Sequence, residues 1–112
     1  METGKTKNEG SGEQIKIDYV AIKNAAMTLR SINNKLRQQI LKLLEENKRM
    51  KVTDIYVKLR LEQSVASQHL AILRRANIVL TERMGKEIYY SLNNARIEQV
   101  AAFATNLTAE QS

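Results

Sequence analysis

A chain of 112 residues that is 43% apolar and 27% charged is one ordinary globular domain, too apolar for wholesale disorder and too short for a second core. Its 18 lysines and arginines outnumber 12 acidic residues, and the net charge of +6 favours an anionic partner such as nucleic acid. Cysteine is absent and histidine occurs once, which excludes disulfides, thiolate metal sites, cysteine nucleophiles and an intramolecular multi-histidine metal site.

Residues 1–14 (METGKTKNEGSGEQ) hold three of the four glycines and a single apolar side chain, Met1. Such a stretch buries too little surface to offset its ordering entropy, so it reads as a disordered tail before one domain spanning 15–112. Lys5 and Lys7 are opposed by Glu2, Glu9 and Glu13, a poor composition for an arm that embraces DNA. From Asp18, a candidate cap, Tyr19, Ile22, Ala26 and Leu29 recur at helical spacing and predict a helix over about 18–30. Val20 and Met27 lie on its other side, and a helix with two apolar sides implies a partner as well as a core. Ser31 to Asn34 reads as a turn, with Asn33 or Asn34 capping KLRQQILKLLEENK, whose Leu36, Ile40, Leu43 and Leu44 form an inward face. Past Thr53 the short segment DIYVKLRL offers Ile55, Tyr56, Leu59 and Leu61 for packing. The next helix, about Gln63 to Ala76, sets Ala66, Leu70 and Leu73 on one face.

At Asn77 the apolar period changes to two. Residues 78–83 and 87–92 are β-prone runs flanking Met84-Gly85-Lys86, where Gly85 supplies a permissive backbone for a tight hairpin. Asn93 or Asn94 then caps a last helix striped by Ile97, Val100, Ala101, Ala104 and Leu107. The expected fold is mainly α (α+β): four helices, a β-hairpin and a C-terminal helix. No apolar run approaches the ~18–20 residues that span a bilayer, and Met1 is followed by polar sequence, so no membrane contact and a cytoplasmic location are expected.

A short helix, a tight turn and a second helix with a polar outer face make a helix-turn-helix, and a hairpin basic at Arg83 and Lys86 adds a wing. With Ala66, Leu70 and Leu73 turned inward, the second helix turns Ser64, Val65, Ser67, Gln68 and Ala71 outward. Small hydroxyls permit close approach to a groove, Gln68 can pair with adenine through both amide atoms, and Val65 can meet a thymine methyl. The run Ser64 to Leu92 closely resembles the ArsR/SmtB-type winged-helix repressors of bacteria. The resemblance rests on Ser64, Ser67, His69, Leu70 and Leu73, then Asn77-Ile78-Val79, Arg83-Met84-Gly85-Lys86 and Tyr89-Tyr90-Ser91-Leu92, with Arg37-Gln38-Gln39-Ile40-Leu41 upstream. It covers about residues 19–107. Asn77 replaces the family's usual glycine, and asparagine tolerates the left-handed conformation that such a turn needs.

The resemblance implies a winged-helix regulator bound to double-stranded DNA through its recognition helix, here Gln63, Ser64, Val65, Ser67, Gln68 and His69. His69 lies beside the inward face, where it orients the helix by a hydrogen bond, with a phosphate contact as the alternative. Arg83 and Lys86 of the wing, with Lys58 and Arg60, are the expected backbone contacts. Residues 30–60 carry nine basic side chains (Arg30, Lys35, Arg37, Lys42, Lys48, Arg49, Lys51, Lys58, Arg60) against Glu45, Glu46 and Asp54, the whole net charge of the chain. Arg74 and Arg75 end the recognition helix, where they serve its dipole as readily as a phosphate. Many relatives sense metals through cysteines before the recognition helix, or through Asp, His and Glu on the last helix. Here VTDIYVKL and NNARIEQVAAFATNL contain neither Cys nor His, and Asp54, Glu98 and Glu110 are too scattered to hold a transition metal. No metal, no cofactor and no thiol sensing are expected.

The function read from the residues is therefore a sequence-specific transcriptional regulator, a homodimeric repressor on an inverted-repeat operator, and not an enzyme. Exposed stripes on the first and last helices would be covered by pairing Tyr19, Ile22, Ala26, Ile97, Val100, Ala101, Ala104 and Leu107 across a two-fold axis. The alternative is a winged-helix protein-interaction module that does not touch DNA, against which the basic segment and the outward Ser64, Ser67 and Gln68 argue.

Overall fold

The computed structural model describes residues 15–109, and the tail expected over 1–14 lies outside them. Asp18 opens α1 (Tyr19–Ile32) by accepting a hydrogen bond from Ala21 N–H at 3.0 Å. The helix runs past the expected turn to include Ser31 and Ile32, because α2 supplies donors for its last carbonyls. Arg37 Nε donates to Ser31 O at 2.5 Å, Arg37 Nη2 to Arg30 O at 3.3 Å and Gln38 Nε2 to Ile32 O at 3.1 Å. Helix ends leave such carbonyls without partners, so these donors support the two additional residues. Asn34 caps α2 (Lys35–Asn47) by accepting from Arg37 N–H at 3.0 Å.

Next comes an element missing from the expectation, β1 (Arg49–Lys51). It is three residues long, with only Met50 buried, and so short a run has no readable alternation. It leads directly into α3 (Val52–Leu59), and Arg60, Leu61 and Glu62 form the turn to α4 (Gln63–Arg75). Strands β2 (Val79–Met84) and β3 (Glu87–Leu92) form the expected hairpin, and α5 (Asn94–Ala109) ends the described chain. The sheet is antiparallel throughout in the order β1-β3-β2, with Met50 opposite Tyr90 and Thr81 opposite Tyr90 from the other side. Thus β1 covers the edge of β3, and the wing grows from a three-stranded sheet instead of a free hairpin.

Ile40, Leu44, Ile55, Leu70, Leu73 and Ile78 are fully buried and, with Met50, Ala76 and Val79, form one cluster joining α2, α3, α4 and the sheet. Burying aliphatic side chains of this size contributes about 1.5–3 kcal/mol each, so the helical spacing read from α2 and α4 drives the assembly. Leu36 and Leu43, expected on the inward face of α2, are only half-buried. Asn93 fastens the C-terminal side: its N–H donates to Ile78 O at 2.9 Å, its Nδ2 to Asn77 O at 2.9 Å, and its Oδ1 accepts from Arg96 N–H at 3.3 Å. No described helix is long and apolar enough to cross a membrane.

Candidate nucleic-acid interface

Helix α4 is divided lengthwise by burial. Ala66, Leu70 and Leu73 are fully buried, while Gln63, Ser64, Ser67, Gln68 and Ala71 are exposed, so a polar strip with two small hydroxyls and two amides faces solvent. Val65 departs from the expected outward set and is half-buried. The turn before α4 depends on Arg60, which adopts a left-handed conformation (φ 57°) while its N–H bonds the Tyr56 and Val57 carbonyls and closes α3. At the other end Asn77 takes φ 62°, and Ile78 N–H reaches back to Leu73 O at 2.9 Å. Both ends of the recognition helix are thus bent by residues whose side chains tax that backbone region.

His69 sits half-buried at the boundary of the two strips. Its Nδ1 lies 3.2 Å from Arg37 Nη1, and because a guanidinium only donates, Nδ1 accepts and the ring proton is assigned by this network to Nε2. Burial pushes the imidazole below its ordinary pKa of 6.5, and the Arg37 charge adds to the shift, so the ring is neutral at neutral pH. Arg37 therefore joins the carbonyl end of α1 to the recognition helix through one side chain. The sequence offered no signal for this role, because Arg37 and His69 are 32 positions apart.

The sheet sorts charge by its pleat. Val79, Thr81 and Arg83 alternate with Leu80, Glu82 and Met84, and the register places Ile88, Tyr90 and Leu92 on the first face with Glu87, Tyr89 and Ser91 on the second. On that second, outer face Arg49 Nη1 meets Glu82 at 3.1 Å and lies over the Tyr89 ring at 5.3 Å, while Lys51 Nζ meets Glu87 at 3.6 Å. Both acids of the wing are therefore neutralised away from the helices, and Arg83 is exposed on the helix-facing side with Lys86 exposed at the tip. The basic side chains of residues 30–60 are thereby sorted by their partners. Of the nine basic side chains, Arg37 is committed to carbonyls and His69, and Arg49 and Lys51 to ion pairs on the outer face. Lys58 and Arg60, flanking the helix-turn-helix bend, are exposed.

The turn between the strands is two residues, Gly85 and Lys86, with φ +66° at the glycine, the pattern of a II′ hairpin. Six of the eight expected dimer residues line two grooves that share Leu29. Tyr19 (72% exposed), Ile22 (58%) and Leu107 (50%) stand open, and Ile22 and Ala26 share a groove with Phe103, an exposed residue that the stripe had omitted although it follows Val100 at helical spacing. Ile97, Val100, Ala101 and Ala104 line a second groove with Leu29 and Ile32, and of these Ile97 and Val100 also pack on the core. Met27 turns elsewhere, into a cleft with Ile72 and Arg75 of α4.

Comparison with known proteins follows this geometry. Residues 34–81, from the cap of α2 into β2, match the family model described as "Bacterial regulatory protein, arsR family". The chain is 36% identical over 85 residues to the transcriptional repressor PagR of Bacillus anthracis, covering 76% of this chain and 85% of that one. The PagR crystal structure superposes with a TM-score of 0.64 over 78% of this chain and 99% of its own. HlyU of Vibrio cholerae, a transcriptional activator, is 35% identical over 74 residues, 66% of this chain and 68% of that protein. An ArsR-like regulator from Rhodococcus sp. RHA1, at 20% identity, shares the fold with a TM-score of 0.72 over 82% of this chain and 86% of its own. Family, relatives and fold agree with the helix-turn-helix and wing of this chain, and the chain belongs to the arsR family of bacterial regulatory proteins, winged-helix DNA-binding regulators of transcription.

Proposed function

We propose that this regulator is a cytoplasmic homodimeric repressor that places α4 of each protomer in successive major grooves of an inverted-repeat operator. The observation that carries the reading is the lengthwise division of α4, with Ser64, Ser67 and Gln68 exposed above a fully buried Leu70 and Leu73. In this reading Gln63, Ser64, Ser67 and Gln68 meet base edges, and half-buried Val65 contributes only its exposed edge. His69 acts through Arg37 to set the pitch of the helix. Arg83 and Lys86 grip the adjacent backbone from the wing, and Lys58 and Arg60 grip it beside the bend. Tyr19, Ile22, Ala26, Ile97, Val100, Ala101, Ala104 and Leu107 form the two-fold contact, with Phe103 added to them. Bound at a promoter, such a dimer represses by excluding polymerase.

The signal that relieves binding is neither a metal nor an oxidant in this reading. The chain has no cysteine, and its one imidazole is turned toward a guanidinium. The deciding experiment selects duplexes from a random pool with the purified chain. An inverted repeat with half-sites one helical turn apart is expected, and a reporter behind that sequence should fall when the regulator is expressed. Recovery of no preferred sequence would sink the operator reading, and a rising reporter would reassign the chain as an activator.

A further inference from the structure

Arg96 occupies the first turn of α5. Its Nη2 donates to Thr28 Oγ1 at 3.2 Å across the contact with α1, while the Thr28 hydroxyl proton is committed to Asn24 O at 3.0 Å. The Arg96 Nε is buried and has no acceptor, and no carboxylate among the described residues pairs with the guanidinium. Buried donors without partners are uncommon because nothing replaces the water they lose. A cation at this end of a helix also opposes the helix dipole, and the first turn of α5 contains no acid to offset it. An anion seated against the accessible part of the guanidinium would relieve the second of these conflicts.

The surroundings limit which anion. Arg96, Thr28 and Gln99 supply the polar part of a cavity of about 140 Å³, whose remaining wall includes Ala25, Leu29 and Phe103. That volume corresponds to about four or five waters, room for a carboxylate and the first few carbons behind it. Ala25, Leu29 and Phe103 also line the adjoining groove of about 450 Å³, whose lining is apolar throughout. The space thus has one cationic end and a long apolar continuation, and a planar guanidinium fork matches a carboxylate.

We propose that the α1–α5 cleft binds a monocarboxylate with an alkyl chain, its carboxylate held by Arg96 and Gln99 and its chain lying along Leu29 and Phe103. The regulatory consequence rests on the dimer reading above. The groove shares Ile22, Ala26 and Phe103 with the two-fold contact, so an alkyl chain there competes with the second protomer for this surface and loosens the grip on the operator.

Calorimetric titration of the full chain with octanoate, octanol and acetate tests the site without DNA. Octanoate should bind saturably, and octanol and acetate should bind about tenfold more weakly or worse, the fold-change of one charge-assisted contact or of the lost chain. Arg96→Gln should lose a similar factor, and Arg96→Lys, which keeps the charge, should retain part of the affinity and guard against a folding defect. Equal binding of octanoate and octanol, unchanged binding by Arg96→Gln, or no octanoate heat up to millimolar concentration would each overturn the site. If Arg96→Gln dissociates a dimeric parent that ignores octanoate, Arg96 answers a carboxylate of the second protomer instead. Saturable binding that leaves operator affinity unchanged upholds the site and overturns its regulatory role. Because the titration needs no operator, its failure is distinguishable from failure of the DNA-binding reading.

Discussion

Two residues with positive φ, Arg60 and Asn77, flank the recognition helix, and replacing each by glycine should separate stability from function. Arg60 and Asn77 both sit in the left-handed region, at φ 57° and 62°. Replacing either by glycine removes the side-chain penalty, and a net gain of about 0.5 kcal/mol is expected after the greater freedom of the unfolded chain is counted. The two should part on function. Arg60→Gly should raise the melting temperature yet weaken DNA binding, because in the proposed complex the Arg60 guanidinium grips the duplex backbone, whereas Asn77→Gly should stabilise with unchanged affinity. If Arg60→Gly binds DNA as the parent does, Arg60 is only a helix terminator. At Gly85 the substituent itself would meet nothing within 4 Å, so any cost of Gly85→Ala is backbone strain alone, about 1 kcal/mol.

His69 adds a pH dependence whose sign follows from its lowered folded pKa. The unfolded chain takes up its proton near 6.5 and the folded chain only at lower pH, so the unfolded state binds more protons in between. Stability is therefore full above about 6.5 and is lost as pH falls toward the folded value. Denaturant titrations at successive pH values should show this acid-side loss in the parent and a flatter profile in His69→Gln. Identical profiles would mean that protonation leaves the contact with Arg37 undisturbed.

Among the elements, the sheet makes the sharpest comparison because two pairs of basic residues occupy it with opposite surroundings. Arg83 and Lys86 are exposed without an ion pair among the described residues, and Arg49 and Lys51 are paired with Glu82 and Glu87 on the outer face. Each phosphate neutralised contributes about −0.9 to the slope of log affinity against log salt. Arg83→Gln with Lys86→Gln should reduce the steepness by about 2, and Arg49→Gln with Lys51→Gln should leave it nearly unchanged. Equal effects of the two pairs would show that the pleat does not direct the wing's charge. Neither ion pair is expected to add much stability, since exposed pairs are screened by water and ions. Leu70→Ala is the contrasting case: the side chain is fully buried, and its loss should cost about 2–5 kcal/mol and release the recognition helix from its seat.

At the scale of the whole molecule the proposed function turns on the association of two chains. α5 sets Ile97 and Val100 on the core yet leaves Phe103 and Leu107 about half exposed, while Tyr19, Val20 and Ile22 of α1 are exposed as well. Apolar surface at that density is uncommon on a monomer and is removed when two copies pair. Val100→Glu with Leu107→Glu should therefore yield a monomer in sedimentation that keeps its helical circular dichroism. It should bind a half-site weakly and the full operator far less tightly than the parent, because the second recognition helix is no longer held at a fixed spacing. A parent that sediments as a monomer at micromolar concentration would remove this interface.

The helices, the hairpin and the recognition strip were legible because each rests on local information: spacing of Ile40 and Leu44, of Ala66, Leu70 and Leu73, and a glycine between two runs of period two. Caps at Asp18 and Asn34 were equally legible, since a short oxygen-bearing side chain before a helix has few other uses. The strand β1 was not, because three residues carry no period and only pairing with Ser91, Tyr90 and Tyr89 makes them a strand. The fates of the basic residues were also invisible in sequence. Arg37, Arg49 and Lys51 look the same there as Lys58 or Arg83, yet contacts 32 to 36 positions away commit the first three to the fold. Composition determines that the chain is basic. Which charges are left to meet a duplex, and that Arg96 is left without an acid, depends on distant carboxylates and carbonyls brought near by packing, and only the tertiary structure decides it.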